Sequence, residues 1–309
     1  MTMHHVAAVR AIVASLACAI AIPAPAMAQP QPLSIPYQFT HSINDSLEFS
    51  PDGERYVWVM VVAGREQLFT ANAGGSDPAQ VTHDDADHED PDWSPDGRRI
   101  AYVHMQGGAQ VIHVMDADGT GDEALTPPDR HVIHPRWHPD GRRLAYCTTD
   151  DLDPPRKNAS EIQQIDLATR AITVLVSGGI NTYPAYSPDG KRLALRKFVD
   201  GDVNSEVFVA NADGSGLANI SRNPAFDGWP MWSPDGRRIA FASNRSSSYQ
   251  VYVMDADGSD VRLVANTDGR ATAPQWSRDG KGIYFPLCRN VDYGYDCEIY
   301  AARLDGKDD

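Results

Sequence analysis

Trp232-Ser-Pro-Asp-Gly-Arg-Arg-Ile-Ala-Phe241 reads as a β-hairpin corner. Ser233 opens the turn, Pro234 brings the fixed φ suited to its second position, and the Asp235 side chain bonds nearby backbone. Gly236 supplies the φ > 0 residue that returns the chain to a strand. Ile239-Ala-Phe241 is then a short strand of alternating large and small side chains. The corner recurs as Phe49-Ser-Pro-Asp-Gly53, Trp93-Ser-Pro-Asp-Gly97, Trp137-His-Pro-Asp-Gly141, Tyr186-Ser-Pro-Asp-Gly190 and Trp276-Ser-Arg-Asp-Gly280. The six turn aspartates, Asp52, Asp96, Asp140, Asp189, Asp235 and Asp279, follow one another at intervals of 44, 44, 49, 46 and 44 residues. A β-rich unit repeating at that period marks a propeller blade, whose sheet must pack radially against its neighbours to bury both faces. The sequence predicts an all-β fold, a six-bladed β-propeller of four-stranded blades.

Within a blade, the innermost strand carries Pro-x-Trp before the turn and the second is of the Arg-Ile-Ala-Phe type. The third is Tyr249-Gln-Val-Tyr-Val-Met254 or its counterparts, and the fourth follows Asp255-Ala-Asp-Gly258, Asp116-Ala-Asp-Gly119 or Asn211-Ala-Asp-Gly214. Blades end in an apolar–hydroxyl pair: Val81-Thr82, Leu125-Thr126, Ile220-Ser221. Phe39-Thr40 has the same form with no blade before it, and Glu298-Ile-Tyr-Ala-Ala-Arg-Leu-Asp-Gly306 is a third strand with its turn. Residues 33–40 are therefore expected to supply the outer strand of blade six, closing the ring with an N-terminal strand and leaving no open edge. The turn aspartates read as scaffold rather than catalytic groups.

Residues 1–28 have the form of a secretory signal peptide: Arg10, an apolar run over 11–22, and Ala26-Met-Ala28 as cleavage site. Residues 29–309 are then the propeller, expected in the periplasm or secreted, as a monomer. The apolar run is too short for a spanning helix, and no later one is long enough. The formal net charge of −15 argues against nucleic acid and anionic lipid as partners.

The loops entering the inner strands hold the residues most open to function. Just before each proline stand Asp90, His134, Tyr183, Trp229 and Ala273, with Asp45 in blade one. These positions are expected to ring one end of the channel, with Asp90, His134, Tyr183 and Trp229 as ligand-binding candidates. An acid, an imidazole and two large aromatics suit a ligand mouth, and equally a plug; both readings stay open. Val81-Thr-His-Asp-Asp-Ala-Asp-His-Glu-Asp-Pro91 is rich in metal-ligand types, and the next such loop holds His131 and His134, with His138 in the turn after it. His88, His131 and His134 are the metal candidates, for Mn²⁺, Ca²⁺ or Zn²⁺. The spacing fits no standard motif, and an exposed acidic loop with solvated histidines is the plainer reading.

The Trp-Ser-Pro-Asp-Gly and Tyr-Val-Met-Asp-Ala-Asp-Gly repeats resemble the TolB-type β-propeller family of exported bacterial proteins, over residues 33–306. That resemblance implies the fold and an exported location. The family's N-terminal α/β domain has no counterpart here, and no Gly-x-Ser-x-Gly elbow is present. The blades also resemble those of some oligogalacturonate lyases, whose propellers hold Mn²⁺ through histidines at the channel mouth. On that likeness, His88, His131 and His134 would hold the metal. Arg196 or Lys197, where other blades carry Ala242 or Cys147, would meet the uronate carboxylate or act as base.

Cys288 and Cys297 flank residues 289–296, and a disulfide there would close a short loop and pin blade six. Cys147 reads as a buried strand residue, with no zinc cluster or Cys/His catalytic pair in the sequence. Residues 150–158 and the hairpin after Phe198 depart from the repeat. The reading taken forward is a non-catalytic module binding an envelope protein, peptide or glycan at the channel mouth. The alternative is a metal-dependent oligouronate lyase.

Overall fold

The computed structural model describes residues 9–10, 47–73, 75–128, 131–149, 159–199, 204–264, 267–291 and 294–304. They form six antiparallel sheets arranged as the blades of a β-propeller. Blade one is Glu48–Phe49, Arg55–Val62, Arg65–Asn72 and Ala79–Gln80, and blade two is Asp87–Trp93, Arg99–Gln106, Ala109–Asp116 and Glu123–Ala124. Blade three is His131–Trp137, Arg143–Thr149, Ile162–Asp166 and Ile172–Val176. Blade four is Asn181–Tyr186, Arg192–Val199, Asn204–Asn211 and Ala218–Asn219. Blade five is Asp227–Trp232, Arg238–Ser243, Gln250–Asp255 and Arg262–Leu263. In blade six the inner strand is split into Arg270–Ala271 and Gln275–Trp276, followed by Gly282–Val291 and Gly294–Arg303.

Val9–Arg10 pairs antiparallel to Gly294–Arg303, the last strand of blade six. Residues 33–40, expected in that place, lie outside the described residues, as do Asp45 and residues 150–158. An unpaired last strand offers a row of N–H and C=O groups to any extended segment that reaches it.

The turns work as their residues dictate. Ser50, Ser94, Ser187, Ser233 and Ser277 donate to the aspartate two residues on at 2.5–2.6 Å, and that carboxylate accepts a backbone N–H beyond the glycine. The serine's hydrogen bond and then the backbone amide hold the Asp52, Asp96, Asp189 and Asp235 carboxyls below the usual range. The hydroxyls that close the blades have a like purpose. Thr82, Thr126 and Ser221 accept the third-strand amides of Leu68, Ile112 and Val207 at 2.9 Å each.

Blades are joined by side chains from the same repeat. Each tryptophan that precedes a turn donates its indole N–H to the inner strand of the preceding blade: Trp93 to the Glu48 carbonyl, Trp137 to Asp92, Trp232 to Ala185 and Trp276 to Met231, at 3.0–3.2 Å. The arginine opening the second strand of blades one, two, four and five reaches the other way. Arg55, Arg99, Arg192 and Arg238 lie 4.3–4.8 Å from the ring centres of Trp93, Trp137, Trp232 and Trp276. They also donate to the carbonyls of Gly97, Gly141, Gly236 and Gly280 at 2.7–3.1 Å. Between blades three and four, where Tyr186 replaces tryptophan, His138 makes the bridge, its Nε2 3.1 Å from the Gly190 carbonyl. Between blades six and one, Arg278 donates to the Asp52 carbonyl at 2.9 Å, and Phe49 packs on Tyr284 at 4.8 Å between ring centres.

Blade six is further tied by a disulfide at Cys288, whose direct partner across the ladder is Cys297. Cys147 is free and fully buried, as the strand pattern implies.

Adjacent arginines separate the latch from mere charge. Arg238→Ala is expected to lower unfolding free energy by about 1–3 kcal/mol, losing a cation–π contact and a hydrogen bond to the next blade. Arg237, whose exposed side chain stands beside it, should change stability by less than about 0.5 kcal/mol when replaced by alanine. Urea unfolding of both variants checks this, and equal losses would contradict it.

Candidate functional site

Each inner strand runs from the connector that leaves the preceding blade to the serine-proline turn, so the connectors and the turns lie at opposite ends of the ring. At the connector end the inner strands share an irregularity. The ladder slips between Glu89 and Asp92, Ile133 and Arg136, Thr182 and Ala185, and Gly228 and Met231, so two residues of the inner strand face one of the second. The second residue of each bulge is proline, which has no N–H to lose from a ladder. The first is the residue singled out by sequence: Asp90, His134, Tyr183, Trp229 and, in blade six, Ala273 have φ of 50°, 53°, 53°, 52° and 41°. Positive φ at a tyrosine and a tryptophan is costly and persists only where the surroundings impose it.

The bulges bring these side chains together from blade to blade. The His134 amide donates to Asp90 Oδ2 at 3.1 Å, and the His134 ring lies on Tyr183 with centres 3.9 Å apart. Tyr183 meets Trp229 at 5.2 Å and Trp229 meets Tyr249 edge-on at 5.6 Å. Arg196 sits over this wall, its guanidinium 4.8 Å from Tyr183 and Phe198 and 5.1 Å from Trp229, and it donates to Thr182 Oγ1 at 3.0 Å. Gly228 leaves it room, since a Cβ there would come within 2.7 Å of Arg196 Cδ. Arg270 stacks similarly on Tyr249 at 4.9 Å. The Trp229 indole N–H is buried with no partner.

Lys197 does not join the wall. Its amine donates to Asn181 Oδ1 at 2.9 Å and to the Gly178 carbonyl, which ties it down as a structural group.

One turn deeper, the inner strands place Glu48, Asp92, Arg136 and Gln275 inside the channel. Arg136 donates to Glu48 and, at 3.1 Å, to Asp92; Gln275 donates to Glu48 at 2.7 Å, and the Trp137 amide to Asp92 at 2.6 Å. Burial pushes the Glu48 carboxyl up to about 7 against the pull of Arg136, with Asp92 adding to the rise, and burial raises Asp92 as well. This cross-channel network ties blades six, one, two and three.

Sequence spacing shows no Cys/His pair, yet the ladder sets His134 Nδ1 3.2 Å from Cys147 Sγ. Burial pushes the thiol up to about 12, which holds it protonated near neutral pH. The other ring nitrogen, Nε2, lies 3.8 Å from Asp90 Oδ2. Burial also pushes the His134 imidazole down to about 4.

The histidines chosen by sequence as metal ligands are divided. His88 is grouped with Asp84 and His104, whose ligand atoms all lie within 4.8 Å of one another; His131 and His134 are outside that group. His131 Nδ1 is buried without a partner. His104 was missed by the sequence reading, although it stands eight residues after its turn aspartate, as Lys197 does.

A family model, the TolB beta propeller domain, matches residues 98–306. Dipeptidyl-peptidase 5 of Porphyromonas gingivalis is 41% identical over 70 residues, 21% of this chain and 10% of that protein. TolB from Acinetobacter baumannii superposes with a TM-score of 0.64 at 21% identity, over 82% of this chain and 64% of that one. An oligogalacturonate lyase in complex with manganese superposes with a TM-score of 0.59 at 15% identity, over 84% and 88% of the two chains. At these identities the superpositions speak for the fold alone. The present chain spans only part of the length of the peptidase and of the Acinetobacter protein.

The buried imidazole gives a pH test. With the folded His134 near 4 and an unfolded histidine near 6.5, the unfolded chain takes up the proton first, so stability falls as pH drops from about 6.5 toward 4. Between pH 7 and 5 this amounts to at most about 2 kcal/mol. His134→Asn should flatten that part of the curve measured by denaturant unfolding; a variant with the wild-type slope would contradict the assignment.

Proposed function

The chain belongs to the TolB β-propeller domain family, and from that premise we propose that it is an exported binding module. Its ligand would be an envelope protein, peptide or glycan, held at the connector end of the ring. The observation that carries this reading is the wall of Tyr183, Trp229 and Tyr249 with Arg196 and Arg270 stacked on it. Such a surface offers flat apolar faces to a sugar ring or a side chain and guanidinium groups to a carboxylate. The positive φ of Tyr183 and Trp229 supports it too, because strain of this kind concentrates at binding sites. The leader-like residues 1–28 support export. No helix among the described residues is long and apolar enough to cross a membrane.

A second reading is metal-dependent cleavage of an oligouronate. The grouping of Asp84, His88 and His104 at the same end of the ring favours it: these residues would hold Mn²⁺, which would supply charge neutralisation for a uronate carboxylate, and Arg196 would pair with a carboxylate of the substrate.

The experiment uses protein secreted with its own leader, whose measured mass checks cleavage after Ala28. Wild type and the Tyr183→Ala/Trp229→Ala variant are immobilised and exposed to solubilised envelope peptides and glycans. The binding reading expects a retained component that falls at least about tenfold in the variant while its unfolding midpoint stays cooperative. Equal retention by both would refute it. Release of unsaturated uronate from oligogalacturonate with Mn²⁺, lost on Asp84→Ala, would put the second reading first.

A further inference from the structure

The seam between blades one and two carries an imidazole–carboxylate cluster at the connector end. Asp84 lies on the connector leaving blade one, His88 on the inner strand of blade two, and His104 directly across the ladder from His88. His88 Nε2 is 3.1 Å from Asp84 Oδ1, and His104 Nε2 is 3.1 Å from Asp84 Oδ2. On its other side, His88 Nδ1 is 3.2 Å from the backbone carbonyl of Glu66, in the third strand of blade one. His104 is backed by His113, stacked at 4.6 Å, whose Nδ1 meets the Asp122 carboxylate at 3.0 Å.

The ring of His88 is 1% exposed and has oxygen acceptors at both nitrogens. A neutral imidazole carries one N–H. With its N–H on Nδ1, donated to the Glu66 carbonyl, the ring leaves an unprotonated Nε2 3.1 Å from a carboxylate oxygen, an electrostatically unfavourable contact in a buried place. An imidazolium would place a full charge in a ring that is 1% exposed, at a desolvation cost. A cation between Nε2 and the carboxylate removes the conflict. The Nδ1–H then donates to the Glu66 carbonyl, which is how metal-bound histidines are ordinarily oriented.

We propose that Asp84, His88 and His104 form a divalent transition-metal site that clamps blade one to blade two at the mouth end of the ring. Two imidazole nitrogens and one carboxylate are the donor set of zinc-like ions, with a fourth position open to water because Asp84 is exposed. The two imidazoles face different oxygens of the Asp84 carboxylate at 3.1 Å, and one ligand atom from each residue lies within 4.8 Å of the others, so the exposed Asp84 would draw in to close the set around an ion. The ion would fix the connector that leads, two residues past His88, to Asp90 in the mouth. The site stands whether the mouth binds a partner or cleaves a glycan, because its ligands come from the seam and its effect is read in stability.

The test uses the mature chain, without a polyhistidine tag, titrated with Zn²⁺ by calorimetry and followed by thermal unfolding. Wild type should bind one Zn²⁺ and melt at a higher temperature with it. His104→Ala and Asp84→Ala, at positions more open than His88, should each weaken binding at least about tenfold and lose the thermal shift. His131→Ala should keep both. No binding by wild type, or binding that survives either of the first two substitutions, overturns the proposal.

Discussion

The ring depends on one contact made between successive blades: a cation laid on the next blade's aromatic ring and hydrogen-bonded to the carbonyl of its turn glycine. Arg55, Arg99, Arg192 and Arg238 make it in one form. Each arginine satisfies a carbonyl and covers an indole whose N–H is already spent on the preceding blade. The turn must therefore keep its shape for the arginine to land, which explains why serine, aspartate and glycine recur together with tryptophan. Where tryptophan is absent the device changes. His138 serves Tyr186 and Gly190, and a Cβ at position 190 would sit 2.7 Å from that imidazole. At the closing junction Arg278, which occupies the proline position of its turn, reaches Asp52.

Junctions of nearly constant geometry hold the inner strands at a constant spacing, and the mouth inherits that regularity. The same bulge recurs in blades two to five, so side chains of different chemistry are presented at equivalent places, and the rings of His134, Tyr183 and Trp229 meet at tilts of 31° and 42°. The backbone accepts positive φ at histidine, tyrosine and tryptophan because the ladders on either side are fixed. Below the mouth the channel is occupied by charge. Arg136 between Glu48 and Asp92 is an arrangement whose desolvation cost offsets much of its attraction. It gives little net stability, yet losing one member would be costly because it leaves a buried charge unpaired.

The period, the turn chemistry, the blade boundaries and the buried Cys147 were all legible in the sequence, because each is a local property repeated or bounded by recognisable residues. The ring of Asp90, His134, Tyr183 and Trp229 was legible as a set of positions, through alignment on the proline. Its αL backbone was not, since nothing in Tyr-Pro or Trp-Pro demands a bulge until a second strand is paired beside it. The histidine grouping was half legible. His88 lies in an obvious acidic loop, but its companion His104 is sixteen residues away and becomes a neighbour only through ladder register. His134 pairs instead with Tyr183 and Cys147 by the same logic.

Recognition at the connector end, rather than at the turn end, is the claim on which the functional account rests. Site-specific photo-crosslinking tests it most directly, with a photoreactive phenylalanine analogue at Tyr249 beside the aromatic wall or at Arg237 in the turns of the same blade. Each protein is irradiated with solubilised envelope and adducts are read by mass. The account predicts a discrete adduct from position 249 and none from 237. Adducts from 237 alone, or equally from both, would contradict it.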